Sequence, residues 1–130
     1  MNIAHGIVFV AHIVASLAAT VILVVMRTEA TARLSTANTR PQTAPRNMAA
    51  RLFHLIPVTG AAVIATSGGD ISWSESWVGI GFVLYLVGAA FLEARALPAE
   101  RRGDDAVVIR YVEWSLVLLA VAALVMLVQF

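Results

Sequence analysis

The sequence predicts an all-α membrane protein, a bundle of four transmembrane helices with its N and C termini outside. Three observations carry that expectation. The 130 residues are 60% hydrophobic and 13% charged, with a mean hydropathy of +0.85, where a soluble domain is about half apolar and about a quarter charged. The apolar residues gather in four runs of about twenty, the length that crosses ~30 Å of hydrocarbon at 1.5 Å per residue. The arginines fall in alternate connections between those runs.

The first span is expected at about 3–26. No basic residue precedes Arg27, and the apolar run is long enough to cross, so the segment reads as a span and not as a signal peptide, which opens on a basic region. The second is expected at about 48–66 with Pro57 inside it, the third at about 77–97, fraying into polar residues, and the fourth at about 108–130. All belong to one domain. The connection "RTEATARLSTANTRPQTAPR" carries Arg27, Arg33, Arg40 and Arg46 against Glu29 alone, whereas "SGGDISWSES" carries Asp70 and Glu75 and no base. Short arginine-rich loops stay in the cytoplasm. The first and third connections therefore face inside, and both termini face outside. Trp73 and Trp77 would lie in the outer interface and Tyr111 and Trp114 near the inner one. The first connection, with Pro41 and Pro45, has little to bury and reads as a mobile loop.

Composition excludes several chemistries. There is no cysteine and no lysine, so thiolate catalysis, disulfides and Schiff-base chemistry are absent. The net charge of +1 gives no attraction to nucleic acid. Neither a nucleotide-binding glycine loop nor a hydrolase or metalloprotease motif occurs. The expected partners are the lipid bilayer and a membrane protein or a second copy of the chain.

Polar residues inside spans are costly and usually face the bundle interior, so they are the informative ones. His12, Ser16 and Thr20 form one stripe at successive fourth positions of the first span, with His5 seven residues before His12. Ala11, Ala15 and Ala19 run beside it as a small-residue ridge for close helix packing. Pro57 removes a donor to the carbonyl of Phe53 and should kink the second span. Counting along the helices puts His12 about 14 Å and Tyr85 about 12 Å from the outer edge, and Thr59 about 16 Å from the inner edge. His12, Ser16, Thr59 and Tyr85 are thus candidates for one mid-membrane cofactor-binding cluster. His54 and Glu113 both lie about 8 Å from the inner edge and form a second candidate pair, with Arg51, Arg110 and Glu93 nearby. The alternatives are structural: interhelical hydrogen bonds for the stripe, and charges reaching toward headgroups for the inner pair. His5 and His12, about 10 Å apart, cannot share one metal ion, and no metal is expected.

Three stretches resemble a group of small four-helix bacterial integral membrane proteins, which includes the membrane domain of CopD-type copper-resistance proteins and the HemJ-type protoporphyrinogen oxidases. They are "VAHIVASLAATVIL", "PVTGAAVIATSG" and "RYVEWSLVLLAVAALVMLV". The resemblance implies a bacterial inner-membrane location and makes His12 the match of the group's first-helix histidine, a haem-ligand candidate in the oxidases. Glu113 sits near their last-helix acid. The third-helix lysine of the oxidases is missing, as are the asparagine and proline beside that acid, which argues against oxidase activity more than against the fold. No methionine–histidine cluster supports copper handling. Haem could be held by His12 alone, or by His12 and His54 from both sides if tilt closes the gap between them. The functions left open are a bundle that binds a redox cofactor such as haem or a membrane partner at His12, a non-catalytic accessory or scaffold subunit, a HemJ-like oxidase and, last, a small transporter or channel.

Orientation has a direct test. A reporter active only outside the cytoplasm, fused after Phe130, is expected to be active; activity of a cytoplasm-only reporter at that position would overturn the topology.

Overall fold

The computed structural model describes residues 2–36 and 46–129. Those residues form helices and turns, with no strand among them: α1 (Ile3–Thr36), α2 (Arg46–Thr66), α3 (Ser76–Phe91), a π-helical turn (Leu92–Ala96), α4 (Leu97–Arg102) and α5 (Asp105–Gln129). The π turn joins α3 and α4 into one continuous rod. Four helical stretches are long and apolar enough to span a bilayer: Ile3–Thr36, Met48–Thr66, Ser76–Arg102 and Asp105–Gln129. The chain is a multi-pass membrane protein with four spans.

α1 is longer than the sequence pattern suggests. It continues past Met26 through "RTEATARLST", so the first ten residues of the expected loop are helical. Ala, Glu, Arg and Leu are good helix formers, and the threonines do not oppose them. Thr28, Thr31 and Thr36 each donate a hydroxyl hydrogen bond to the carbonyl four residues back. Tertiary contacts hold the extension in place. Ala30 is fully buried, and Arg33 Nε donates to Asp105 Oδ1 at 2.9 Å with both side chains largely enclosed. Residues 37–45 of the expected loop, including Pro41 and Pro45, lie outside the described residues, and its last residue, Arg46, opens α2.

The third span likewise does not fray at Leu97. Pro98 has no N–H to give the carbonyl four residues back, and its ring would crowd that turn. The preceding turn widens to π geometry, with the Leu97 N–H bonding the Leu92 carbonyl. The helix then resumes to Arg102. Gly103 ends it in the left-handed conformation, φ 74°, which a glycine adopts without steric cost. The Gly103 and Asp104 amides satisfy the carbonyls of Glu100 and Ala99 at 3.2 and 2.9 Å. In α2 the chain stays helical through Pro57.

The helices follow one another around a ring in the order α2, α1, α5, α3. α1 packs extensively on α2 and α5, and α3 on α5, whereas α2 and α3 make only sparse contact. The ring is therefore closed on three sides and has a thin fourth seam. Burial is uneven along the bundle axis as well. Leu23, Met26, Ala30, Ala49, Phe53, Leu92, Ala96, Leu97, Ala99, Val108 and Val112 form one core toward the end that carries Arg27, Arg33, Arg101 and Arg102. Small residues let the helices approach there. Ala15 and Ala19 continue that packed face of α1, but Ala11 is exposed, so the alanine ridge begins one turn later than expected. Many large apolar side chains point outward, among them Ile7, Leu17, Val21, Val58, Val83, Leu124 and Leu127, as lipid-facing surfaces require.

Among the described glycines, Gly88 on α3 has the least room for a side chain. A Cβ there would lie 2.8 Å from Phe53 Cζ, and the Phe53 ring is buried and cannot swing away. Ser115 Oγ donates to the Gly88 carbonyl at 3.3 Å and to that of Tyr111 at 2.9 Å, so the same point ties α3 to α5. Gly88→Ala is expected to lower stability by about 1–3 kcal/mol, the usual cost of overpacking. Gly79→Ala, with nothing within 4 Å of the added atom, should leave it unchanged. Unfolding curves in detergent measure both.

Candidate functional site

Each of the three histidines meets a hydroxyl on a neighbouring helix. His12 Nδ1 lies 2.9 Å from Thr59 Oγ1, and His5 Nδ1 lies 3.1 Å from Thr66 Oγ1. Both partners belong to α2. His5 and His12 are seven residues apart, and so are Thr59 and Thr66. Two turns of antiparallel helix thus separate two equivalent rungs, and together they set the register of α1 on α2.

Proton positions at these rungs follow from the threonines. Thr59 Oγ1 lies 2.7 Å from the Leu55 carbonyl and 3.1 Å from that of Ile56, and carbonyl oxygens only accept. The Thr59 hydroxyl therefore donates within its own helix and accepts from His12 Nδ1–H. In the neutral ring Nε2 then carries the lone pair. The imidazole lies flush against α2, because a Cβ added at Gly60 would sit 3.3 Å from its Cε1.

The rest of the expected mid-membrane cluster does not assemble. Ser16 Oγ donates to the His12 carbonyl and Thr20 Oγ1 to the Ser16 carbonyl, at 2.9 and 2.8 Å. Their hydroxyls are thus engaged within α1 and do not bridge helices. Tyr85 joins His54 instead of His12. The expected His54–Glu113 pair also does not form. Glu113 Oε1 accepts from Arg27 Nε at 2.8 Å, because α1 and α5 lie side by side while α2 is beyond α1. His54 instead bridges the thin seam between α2 and α3, its Nδ1 on the Tyr85 hydroxyl and its Nε2 on Glu93 Oε1. Glu93 is the site residue that sequence reasoning placed only nearby. It sits in the π turn, and a uniform α-helix count misplaces it. Haem between His12 and His54 is disfavoured by the same geometry, since both nitrogens of His54 are occupied by side chains.

A cleft of about 580 Å³ opens at the opposite end of the bundle, lined by His5, Thr66, Asp70, Glu75, Trp77 and Gln129 among others. Glu75 accepts from the Ser72 amide at 3.1 Å and from the Trp77 indole. These bonds, the amide's foremost, hold its carboxyl below the usual carboxylate range. The stabilisation is present above that range and is lost as pH falls through the lowered value. Among the described residues no three His, Cys, Asp or Glu side chains gather to hold a metal ion.

The His12–Thr59 rung is expected to show a coupling of about 0.5–1.5 kcal/mol in a double-mutant cycle with His12→Leu and Thr59→Val. The reading is unfolding in mixed detergent, and additive effects would remove the rung from the account of the register.

Comparison of the chain with protein-family models, with curated proteins and with solved structures finds no match in any of the three.

Proposed function

We propose that this protein is a non-catalytic accessory or scaffold subunit of a membrane complex, sited in a bacterial inner membrane with both termini outside. The observation that supports it best is the placement of His12. Its ring packs on α2, bonded to Thr59 and against the bare Gly60. The most conspicuous intramembrane ionisable group of the first span thus works as a helix-pairing contact. Ser16 and Thr20 bond within their own helix and leave Thr59 as the partner of His12 across the interface. The closely packed pair of α1 and α2 suits a subunit that offers surfaces to a larger neighbour.

In a second reading His12 would be the residue that holds a haem. It is favoured by the tautomer, because a histidine whose Nδ1–H is held by an outer hydrogen bond presents Nε2 to a metal. The residues fit single-histidine ligation. Bound haem would supply electron-transfer chemistry, and Thr59 would orient the ring. A HemJ-like oxidase has less support, since the chain has no lysine.

Purification in mild detergent separates these readings. The accessory reading expects no chromophore and a second membrane protein in fixed stoichiometry; a homo-oligomer with no other chain would make the scaffold its own partner. A Soret band, present after haem addition and lost in His12→Ala, would overturn it in favour of the cofactor site.

A further inference from the structure

The seam between α2 and α3 carries the structure's most unusual polar group. Glu93, His54 and Tyr85 form one continuous hydrogen-bonded chain, carboxylate to imidazole to phenol, with both ring nitrogens of His54 engaged. The His54 and Glu93 side chains are 46% and 47% exposed, although they lie on spans. Depth can be read from neighbouring contacts. Phe53, adjacent to His54, meets Gly88, and Gly88 meets Ser115. Ser115 is two residues from Glu113, which pairs with Arg27. At 1.5 Å per residue, Tyr85 lies about 12 Å further along the bundle than Glu93. Glu93 therefore sits near the plane of the Arg27–Glu113 pair, where polar surface begins, and the phenol of Tyr85, reaching back to the same imidazole, lies one ring's width deeper.

An outward-facing ionisable chain of this kind is expensive against lipid tails, and helix packing alone would not need it. The aromatic surroundings suit a flat ligand. The Tyr85 ring stacks on Phe53 at 5.7 Å and stands 6.1 Å from Phe82, and Phe82 is itself exposed at the surface.

We infer that this seam is a lateral binding site for a lipid-soluble molecule with a carbonyl- or hydroxyl-bearing ring, of the quinone or quinol class. The phenol presents either hydrogen-bonding sense. With Glu93 ionised and His54 neutral, Nε2–H donates to the carboxylate and the Tyr85 hydroxyl donates to Nδ1. The phenol oxygen is then left to accept from a ring hydroxyl. With one more proton on the imidazole, Nδ1–H donates to the phenol oxygen, and the Tyr85 O–H turns outward to a ring carbonyl. The added proton lands on Nδ1, the nitrogen that faces Tyr85, because Nε2 already carries the hydrogen given to Glu93. The two arrangements differ by that proton alone, and no electron transfer is involved. The site goes beyond the accessory role and needs no partner chain.

The test uses the purified full chain in lipid nanodiscs with decylubiquinone as the probe, followed by photocrosslinking with an azido derivative of the same ring. Saturable binding and crosslinks confined to α2 and α3 are expected. Tyr85→Phe and Glu93→Gln should each weaken binding about 3–10-fold, the range for loss of one hydrogen bond, with Gly79→Ala as wild type. Circular dichroism and gel filtration identify variants that fold, and either folded variant suffices. Binding unchanged in a folded variant, crosslinks scattered over all four spans, or equal uptake of decylbenzene would each overturn the site.

Discussion

Hydrocarbon offers no hydrogen bonds, and that single constraint organises this bundle. Every polar side chain within a span must find its partner in the protein. Hydroxyl groups on one helix can bond the carbonyl a turn back, as Ser16, Thr20 and Ser115 do. An imidazole is too long and rigid for that. His5, His12 and His54 therefore reach across to another helix, and each crossing pins two helices at one level. Two such crossings at matched spacing set α1 against α2 in a way that apolar packing, which tolerates sliding, would not.

The polar constraint and the packing divide the bundle between them. At the arginine-bearing end, alanines and Gly88 let large side chains such as Phe53, Leu23 and Leu92 pack without gaps. Toward the Asp70 end the buried apolar residues thin out, and the helices are tied by the His–Thr rungs. A tight end and a looser end follow from where the small residues lie. The cleft at that end opens where close packing stops.

Much of this was legible in the residues. Four apolar runs and the stripe at His12 made the bundle and an inward-facing imidazole readable. The equal spacing of His5 with His12 and of Thr59 with Thr66 was also in the chain, and pairing those two intervals would have found both rungs. Other features had no local signal. The extension of α1 depends on Arg33 meeting Asp105, a contact 72 residues apart in sequence. The partners of His54 depend on which helices are adjacent in the ring and on a π turn whose only local trace is Pro98. Depth along the membrane, which guided the expected pairings, cannot tell adjacent helices from those further round the ring. Glu113 and His54 share a level but not a side.

The π turn also sets the phase of everything after it. An α-helix advances 100° per residue, so the additional residue accommodated in Leu92–Ala96 rotates the following helix by about that angle relative to an unbroken one. Without this offset, Leu97 and Ala99 would leave the core and the faces of Arg101 and Arg102 would turn with them. The turn from α4 into α5 would start from a different direction, and Asp105 would no longer arrive opposite Arg33. One residue in the third span thus acts as a phase adjuster between the lipid-facing half of the molecule and its arginine-bearing rim.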